Sequence, residues 1–285
     1  MSNSYSALLN KVRENKPLVH HITNYVTVND CANITLGIGA SPVMADAIGE
    51  AADIAAIAQA VVLNMGTLNE RTIPSMIAAG KSANEKGIPV LFDPVGAGAS
   101  KLRNDTAASL ISEVKLTVLR GNISEIKFIA GLRSETKGVD ASSGDATDAD
   151  DAGQIAKKLA EKLNCIVVIS GATDIISDGK KIVYVENGHP MLGNLTGTGC
   201  MCSSLIGSFC GANSSDPFAA SVAAMLCMGI AGEMASTGSA TELASTGGSL
   251  SLSKGGNGSF HAALHDAISR MDVATLERLS KYREV

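Results

Sequence analysis

Hydrophobic positions along this chain fall into two alternating patterns. Short, unbroken apolar runs recur at Val61-Val62-Leu63-Asn64, at Pro89-Val90-Leu91-Phe92-Asp93, over residues 116–119 and over residues 165–170. Runs this short, rich in Val and Ile, predict strands buried on both faces. Between them lie stretches of helical character at residues 28–36, 46–60, 70–85, 104–112, 123–130 and 152–163. Near the start, residues 2–13 predict an amphipathic helix with Leu8, Leu9 and Val12 on one side, stopped by Pro17. Val19-His20-His21-Ile22 then predicts a strand ending near Asn24, and residues 37–44 a loop with a short extended piece. Asp178-Gly179 between residues 174–177 and 180–185 signals a hairpin. Further on, helices are predicted over residues 217–234 and 259–271, separated by a loose Ser/Gly/Thr stretch at 236–258. The acidic, Ser/Gly-rich residues 138–151 predict a surface loop.

Strands alternating with helices argue for βαβ units, hence an α/β fold with a mostly parallel sheet covered on both faces. No composition break divides the chain, so a single domain over residues 1–285 is expected. Ligands of such sheets gather at the carboxyl ends of the strands. Here those ends carry Asn64-Met65-Gly66, Asp93-Pro94-Val95-Gly96, Arg120-Gly121-Asn122 and Ser170-Gly171.

Composition narrows the classes of function. Aromatic residues make up 3%, there is no Trp, and the formal charge is −5, which excludes a nucleic-acid footprint of stacking platforms or basic patches. No apolar signal segment opens the chain, and the most apolar stretch, residues 219–235, reads as a buried helix, so no membrane partner is expected. The six cysteines lie at irregular spacings, which fits a reducing, cytoplasmic setting better than a disulfide framework, and no paired Cys/His motif builds a zinc site.

Candidate chemistry centres on Thr196-Gly197-Thr198-Gly199-Cys200, which leads into an apolar run of helical character. Two glycines one residue apart let backbone approach a ligand, and a helix start presents unpaired N–H groups and partial positive charge. Residues 197–200 are therefore a candidate anion hole for a phosphoryl group, with Cys200 at the first turn, where a thiol pKa is ordinarily lowered. The alternative is a glycine turn capping a core helix. Asp93, ending a strand before Pro94, is a candidate to protrude and hold Mg²⁺ directly or through water, or a turn-forming Asp. Asn122 and Glu125, three apart at a helix start, either meet a hydrated metal and phosphate oxygens or form a capping box. Arg120 has the planar fork that clamps phosphate. Asn24 is placed to hydrogen-bond a small molecule, whereas His20 and His21 point to opposite strand faces and read as structural. No Walker A motif is present.

Taken together, and in this order, Asn24-Tyr25-Val26-Thr27, Asn33, Gly39-Ala40-Ser41-Pro42-Val43-Met44, Asp93-Pro94-Val95-Gly96-Ala97-Gly98-Ala99, Arg120-Gly121-Asn122-Ile123-Ser124-Glu125 and Thr196-Gly197-Thr198-Gly199-Cys200 resemble the hydroxyethylthiazole kinases of thiamine salvage. The resemblance spans nearly the full chain. It implies a ribokinase-like, three-layer α/β/α fold and phosphorylation of the primary alcohol of 4-methyl-5-(2-hydroxyethyl)thiazole by ATP with Mg²⁺. By motif match it implies substrate contacts at Met44 and Gly197, nucleotide contacts at Arg120 and Ser170, and metal and phosphate contacts at Asn122 and Glu125. Cys200 takes the position where sugar kinases of the wider superfamily carry an Asp base. A homotrimer with active sites between subunits is also implied, with the Asn24 and Met44 region facing a neighbour. Ser170 stands where many relatives carry Thr. The rival readings are another ribokinase-like kinase, for hydroxymethylpyrimidine or pyridoxal and with Asp in place of Cys200, and a catalytically idle protein of the same fold.

Overall fold

The computed structural model describes residues 5–132, 136–137, 140–141, 148–241 and 256–285. The first helix, α1 (Leu8–Asn15), buries Leu9 and Val12, and a left-handed Lys16 turns the chain into β1 (Leu18–Ile22). Then follow α2 (Val28–Ile38), β2 (Ser41–Met44), α3 (Ala51–Ile57), β3 (Ala60–Asn64) and α4 (Thr72–Glu85). The alternation continues through β4 (Val90–Asp93), α5 (Lys101–Glu113), β5 (Val118–Asn122) and α6 (Ile123–Ile129). A small antiparallel ribbon, β6 (Thr136–Lys137) with β7 (Asp140–Ala141), precedes α7 (Ala149–Leu163) and β8 (Ile166–Ser170). The predicted hairpin is β9 (Asp174–Ser177) with β10 (Ile182–Val185), turning at Gly179 with φ 89°. The rest is α8 (Thr198–Ala212), α9 (Pro217–Thr241), α10 (Asn257–Arg270), α11 (Val273–Leu279) and β11 (Tyr282–Glu284).

The main sheet has nine strands in the order β11-β10-β9-β8-β5-β4-β3-β1-β2, parallel from β8 through β2 and antiparallel from β8 through β11. Side chains alternate across it. Val62, Leu91 and Val168 face a layer that includes α1, α2, α8, α9 and α10, while Val61, Leu63, Phe92 and Val167 face a layer that includes α3, α4, α5 and α7. This is the three-layer arrangement expected from the continuous apolar strands. The 217–237 segment is apolar enough to span a bilayer, at mean hydropathy 1.6, yet 83% of that window is buried inside the fold. It is the core helix α9.

Several boundaries differ from expectation for identifiable reasons. The helix expected over residues 46–60 is shorter: Ala58 turns extended at ψ 165°, and Ala60 joins the sheet opposite Val19. The strand expected at 116–119 starts later and continues through Arg120-Gly121-Asn122, because these residues pair with Val168, Ile169 and Ser170. Exposed β11 carries no apolar signal; it is held by backbone pairing with β10. Of the expected loose stretch at 236–258, α9 takes the beginning and α10 the end, while residues 242–255 lie outside the described ones. Of the expected surface loop at 138–151, residues 140–141 belong to β7 and 149–151 to α7, while 138–139 and 142–147 lie outside the described ones.

Gly80 marks where α4 comes closest to the α5–β5 connection: a Cβ there would lie 2.7 Å from both methyl groups of Val114. Gly80→Ala is therefore expected to lower unfolding free energy by about 1–3 kcal/mol through overpacking, read by urea denaturation.

Candidate active site

The register of β3 on β4 sets Asn64 beside Asp93 at the carboxyl end of the sheet. Along that rim the strand order places, in turn, Ser170 on β8, Arg120 on β5, Asp93 on β4, Asn64 on β3, Asn24 just after β1, and Met44 on β2. The start of α8 meets the middle of this row.

Asp93 is fully buried at its centre. Its Oδ2 accepts from Asn64 Nδ2 at 2.9 Å and Ser203 Oγ at 2.7 Å, and Arg120 Nη1 lies 3.5 Å away. Arg120 in turn donates through Nη2 to Ser170 Oγ at 2.6 Å. On the other side Asn24 Nδ2 donates to Asn64 Oδ1 at 3.0 Å. The Cys200 sulfur closes the group, 3.2 Å from Asn24 Nδ2 and 3.3 Å from Asn64 Nδ2. Burial pushes the Asp93 carboxyl up, opposed by Arg120, Ser203 and Asn64. Burial works to lower the Arg120 pKa, but the surrounding acidic groups, Asp93 first and Glu125 among them, together outweigh it and hold the guanidinium firmly protonated.

Glycines make this packing possible. Gly197 caps α8 at φ 90°, and a Cβ there would lie 2.6 Å from Thr27 Cγ2. A Cβ on Gly199 would stand 2.8 Å from Arg120 Nη1, and one on Gly66 2.7 Å from Asn24 Nδ2. The bare backbone thus lets the guanidinium reach the first turn of α8, where unpaired N–H groups and the helix dipole favour an anion.

A cavity of about 540 Å³ opens on the β5–β8 side, with Arg120, Ser170, Asp174, Thr198 and Gly199 in its wall and Met228 of α9 among its lining. Its size suits a small-molecule ligand. Asp174, partly withdrawn from water, is pushed up to about 7 by that desolvation, against the Gly171 N–H and Arg120. Asn24, Met44, Gly197 and Cys200 do not line this cavity. The rim order leaves Asn24 and Met44 beyond the Arg120–Asp93 pair, with Cys200 bonded to Asn24 and Asn64.

Two expectations need correction. Asp93 does not protrude: α8 lies over the strand end and its Ser203 reaches down to the carboxylate. The Cys200 thiol is raised rather than lowered, because burial and then the nearby Asp93 charge outweigh the hydrogen bonds of Thr27 and Asn24 and the charge of Arg120. For Asn122 and Glu125 the structure shows the capping-box alternative. Asn122 Oδ1 accepts the Glu125 N–H at 2.9 Å, while Glu125 accepts from the Asn122 N–H and the Gly96 N–H, both at 2.8 Å. This is the capping box at the start of α6, with the second carboxylate oxygen pinning the loop after Asp93. Only Asp93 Oδ1 is left without a protein partner among these oxygens, so the residues fit a Mg²⁺ ion met at that oxygen, directly or through water. His20 and His21 are structural as read: His20 Nε2 meets the Ala45 carbonyl at 2.7 Å, and burial lowers the His21 pKa to about 4.

Sequence reasoning missed Ser203, which shares no motif with Asp93 and meets it only because α8 crosses the strand end. Asp174 and Met228 were missed for the same kind of reason, since the cavity wall is assembled from a hairpin strand and a core helix. Asn64 had a visible signal, a polar residue closing an apolar strand.

The chain matches the hydroxyethylthiazole kinase family over residues 9–274. It belongs to that family. The hydroxyethylthiazole kinase of Clostridium beijerinckii is 59% identical, with all of both chains covered, and that of Ruminiclostridium cellulolyticum is 55% identical over 98% of this chain and 96% of its own. Among solved structures, the hydroxyethylthiazole kinase protein of Pyrococcus horikoshii superposes with a TM-score of 0.85 at 37% identity, covering 99% of this chain and 98% of its own. A Bacillus subtilis pyridoxal kinase solved as an ADP complex has a TM-score of 0.56 at 18% identity, covering 75% of this chain and 90% of its own, a likeness of fold alone. The fold is ribokinase-like, and the chain is a phosphotransferase of the hydroxyethylthiazole kinase family.

Glu125 carries a carboxyl pushed up to about 7 by burial and then by Asp93. Its unfolded value is about 4.3, so the stability it confers is greatest in acid and is lost as pH rises toward 7. Glu125→Gln leaves one backbone N–H without a full acceptor and is expected to cost about 1–3 kcal/mol at pH 5. That gap should narrow at pH 8, where the native carboxylate is the form burial penalises. Urea denaturation in the presence of EDTA reads both; a variant as stable as the native chain at both pH values would return Glu125 to a purely metal-binding role.

Proposed function

We propose that this chain transfers the γ-phosphoryl group of ATP to the primary alcohol of 4-methyl-5-(2-hydroxyethyl)thiazole, giving the thiazole phosphate. The reading is carried by one observation: the glycine-opened start of α8 meets Arg120 between a cavity and the Cys200–Asn64–Asn24 group. The nucleotide lies on the cavity side, against Arg120 and Ser170. The alcohol lies beyond it, toward Asn24, Met44 and Gly197. The transferring phosphoryl sits where they meet, on the N–H groups of residues 197–200.

In the transfer, the alcohol oxygen bonds to phosphorus as the bond to the β–γ bridging oxygen breaks, and ADP leaves with that electron pair. The transition state is loose, so aligned oxygens and neutralised charge contribute more than a strong base. Arg120 and the α8 backbone supply positive charge without reorganising, because Asp93 and Ser170 already hold the guanidinium in place. Burial holds Cys200 as the neutral thiol, so little thiolate is present to take the alcohol's proton; the thiol orients the hydroxyl, and the proton passes to a phosphoryl oxygen or to water as the O–P bond forms. Asp93 would hold Mg²⁺, directly or through water, and the ion would neutralise charge on the nucleotide phosphates. Support for a homotrimer with shared sites comes from the exposed Tyr25 (78%), Val26 (55%) and Ile48 (58%), which flank Asn24 and Met44 in sequence. The protein acts as a single domain, in the cytoplasm, which fits six cysteines without a disulfide.

An ADP-release assay comparing the thiazole alcohol, hydroxymethylpyrimidine and pyridoxal is expected to show turnover with the thiazole. Release with the pyrimidine alone would overturn the substrate, and release with none of the three would favour the idle reading. Gly199→Val drives a branched side chain into Arg120 and is expected to lower kcat by at least about 100-fold, the scale of losing a preorganised donor. Cys200→Ala should lose only about tenfold, since a thiol held neutral falls below the ordinary range for general-base catalysis, and Cys200→Asp should retain or raise turnover. An unchanged kcat in Cys200→Ala would remove Cys200 from the reaction altogether.

A further inference from the structure

In the helical layer that includes α8 and α9, outside the cavity, two helices bring together three ligand atoms that the kinase reading does not use. His261 and His265 are four residues apart on α10 and so share one face, turned toward Asp30 in the first turn of α2. His261 Nε2 lies 2.9 Å from Asp30 Oδ1, His265 Nε2 lies 3.2 Å from His261 Nε2, and His265 Nε2 lies 3.8 Å from Asp30 Oδ1.

Protons alone do not satisfy this triangle. Each neutral imidazole nitrogen is either a donor or an acceptor. If His265 donates to His261, the His261 lone pair faces the carboxylate. If His261 instead donates to Asp30, its single proton cannot also point squarely at His265. If both nitrogens carry protons, the two N–H groups oppose each other. One cation at the centre satisfies all three edges at once. A tetrahedral ion with bonds of ~2.0 Å needs ligand edges of ~3.3 Å, and the observed separations of 2.9, 3.2 and 3.8 Å bracket that length.

Leu264 and Ile268, on the inner side of α10, are fully buried, and α2 packs on α10 at Gly37, where a Cβ would lie at ordinary packing distances, 3.6 Å from Ile268 Cγ2 and 3.9 Å from the His265 carbonyl oxygen. Asp30, His261 and His265 are each partly exposed and line a groove of about 390 Å³ with Asn29, Asn33 and Asp266, so a fourth position can be filled by water. Two imidazoles and one carboxylate suit a borderline ion such as Zn²⁺; Mg²⁺ demands an octahedron of oxygens and is a poor match.

We propose that Asp30, His261 and His265 form a site for one divalent transition-metal ion of the Zn²⁺, Co²⁺ or Ni²⁺ class, clamping α10 to α2. The clamp closes beside the α8 loop, since a Cβ on Gly197 would lie 3.9 Å from Asp30 Oδ2. Full-length, tag-free, chelator-treated protein titrated with Co²⁺ is expected to bind one equivalent, with the visible absorption of a four- or five-coordinate ion. His261→Ala and His265→Gln should each weaken Co²⁺ binding at least ~100-fold, since the loss of a direct ligand exceeds the 10–100-fold typical of an outer-shell partner. Zn²⁺ at a hundredfold excess over Kd should raise the native Tm by about 4 °C and leave both variants unmoved, with circular dichroism checking that they fold. Native protein that shows no such absorption at millimolar Co²⁺, or a folded His265→Gln chain that binds as tightly as the native one, overturns the proposal. None of these readouts depends on phosphoryl transfer.

Discussion

The contact of Asp93 with Arg120 beneath the start of α8 is the constraint around which the catalytic end of the sheet is arranged. Both residues are withdrawn from water, and a buried ion pair is tolerable only when its remaining donors and acceptors find partners. Asn64, Ser203 and Ser170 supply most of them. What is left over is one Asp93 oxygen and the Arg120 Nε, both buried without a partner. The pair therefore carries a desolvation cost that its protein partners do not fully offset.

This arrangement depends on absent side chains as much as on present ones. Gly199 admits the guanidinium to the helix start, Gly197 admits Thr27, and Gly66 admits Asn24. Each replaces a Cβ that would collide with a neighbour inside 3 Å. The geometry also changes the meaning of Cys200. In isolation a thiol at a helix start is activated, but next to a buried carboxylate it is held in its neutral form. A site of this kind works by holding its groups in position, which suits phosphoryl transfer and its small demand for base strength.

Helix α10 shows the same logic in another place. It is anchored by apolar residues on one side, while His261 and His265 on the partly exposed side converge with Asp30 of α2. Two helices far apart in sequence are thereby linked through polar groups as well as through the core.

Much of the fold was legible in the chain alone. Apolar strands such as Val61-Val62-Leu63 and Val90-Leu91-Phe92, alternating with helices, determined a mostly parallel sheet, because such runs must be buried on both faces. Strand-end motifs marked the rim, since ligands collect where parallel strands end. Tertiary structure alone decided the partners: Ser203 under Asp93, Asp174 in the cavity wall, Glu125 in a capping box, and exposed β11 on the sheet edge. Thr196 to Cys200 was readable as a glycine turn before a helix, but the ionisation of Cys200 was not. Secondary structure follows local periodicity, whereas burial and charge at one atom are set by residues that only folding brings within a few ångströms.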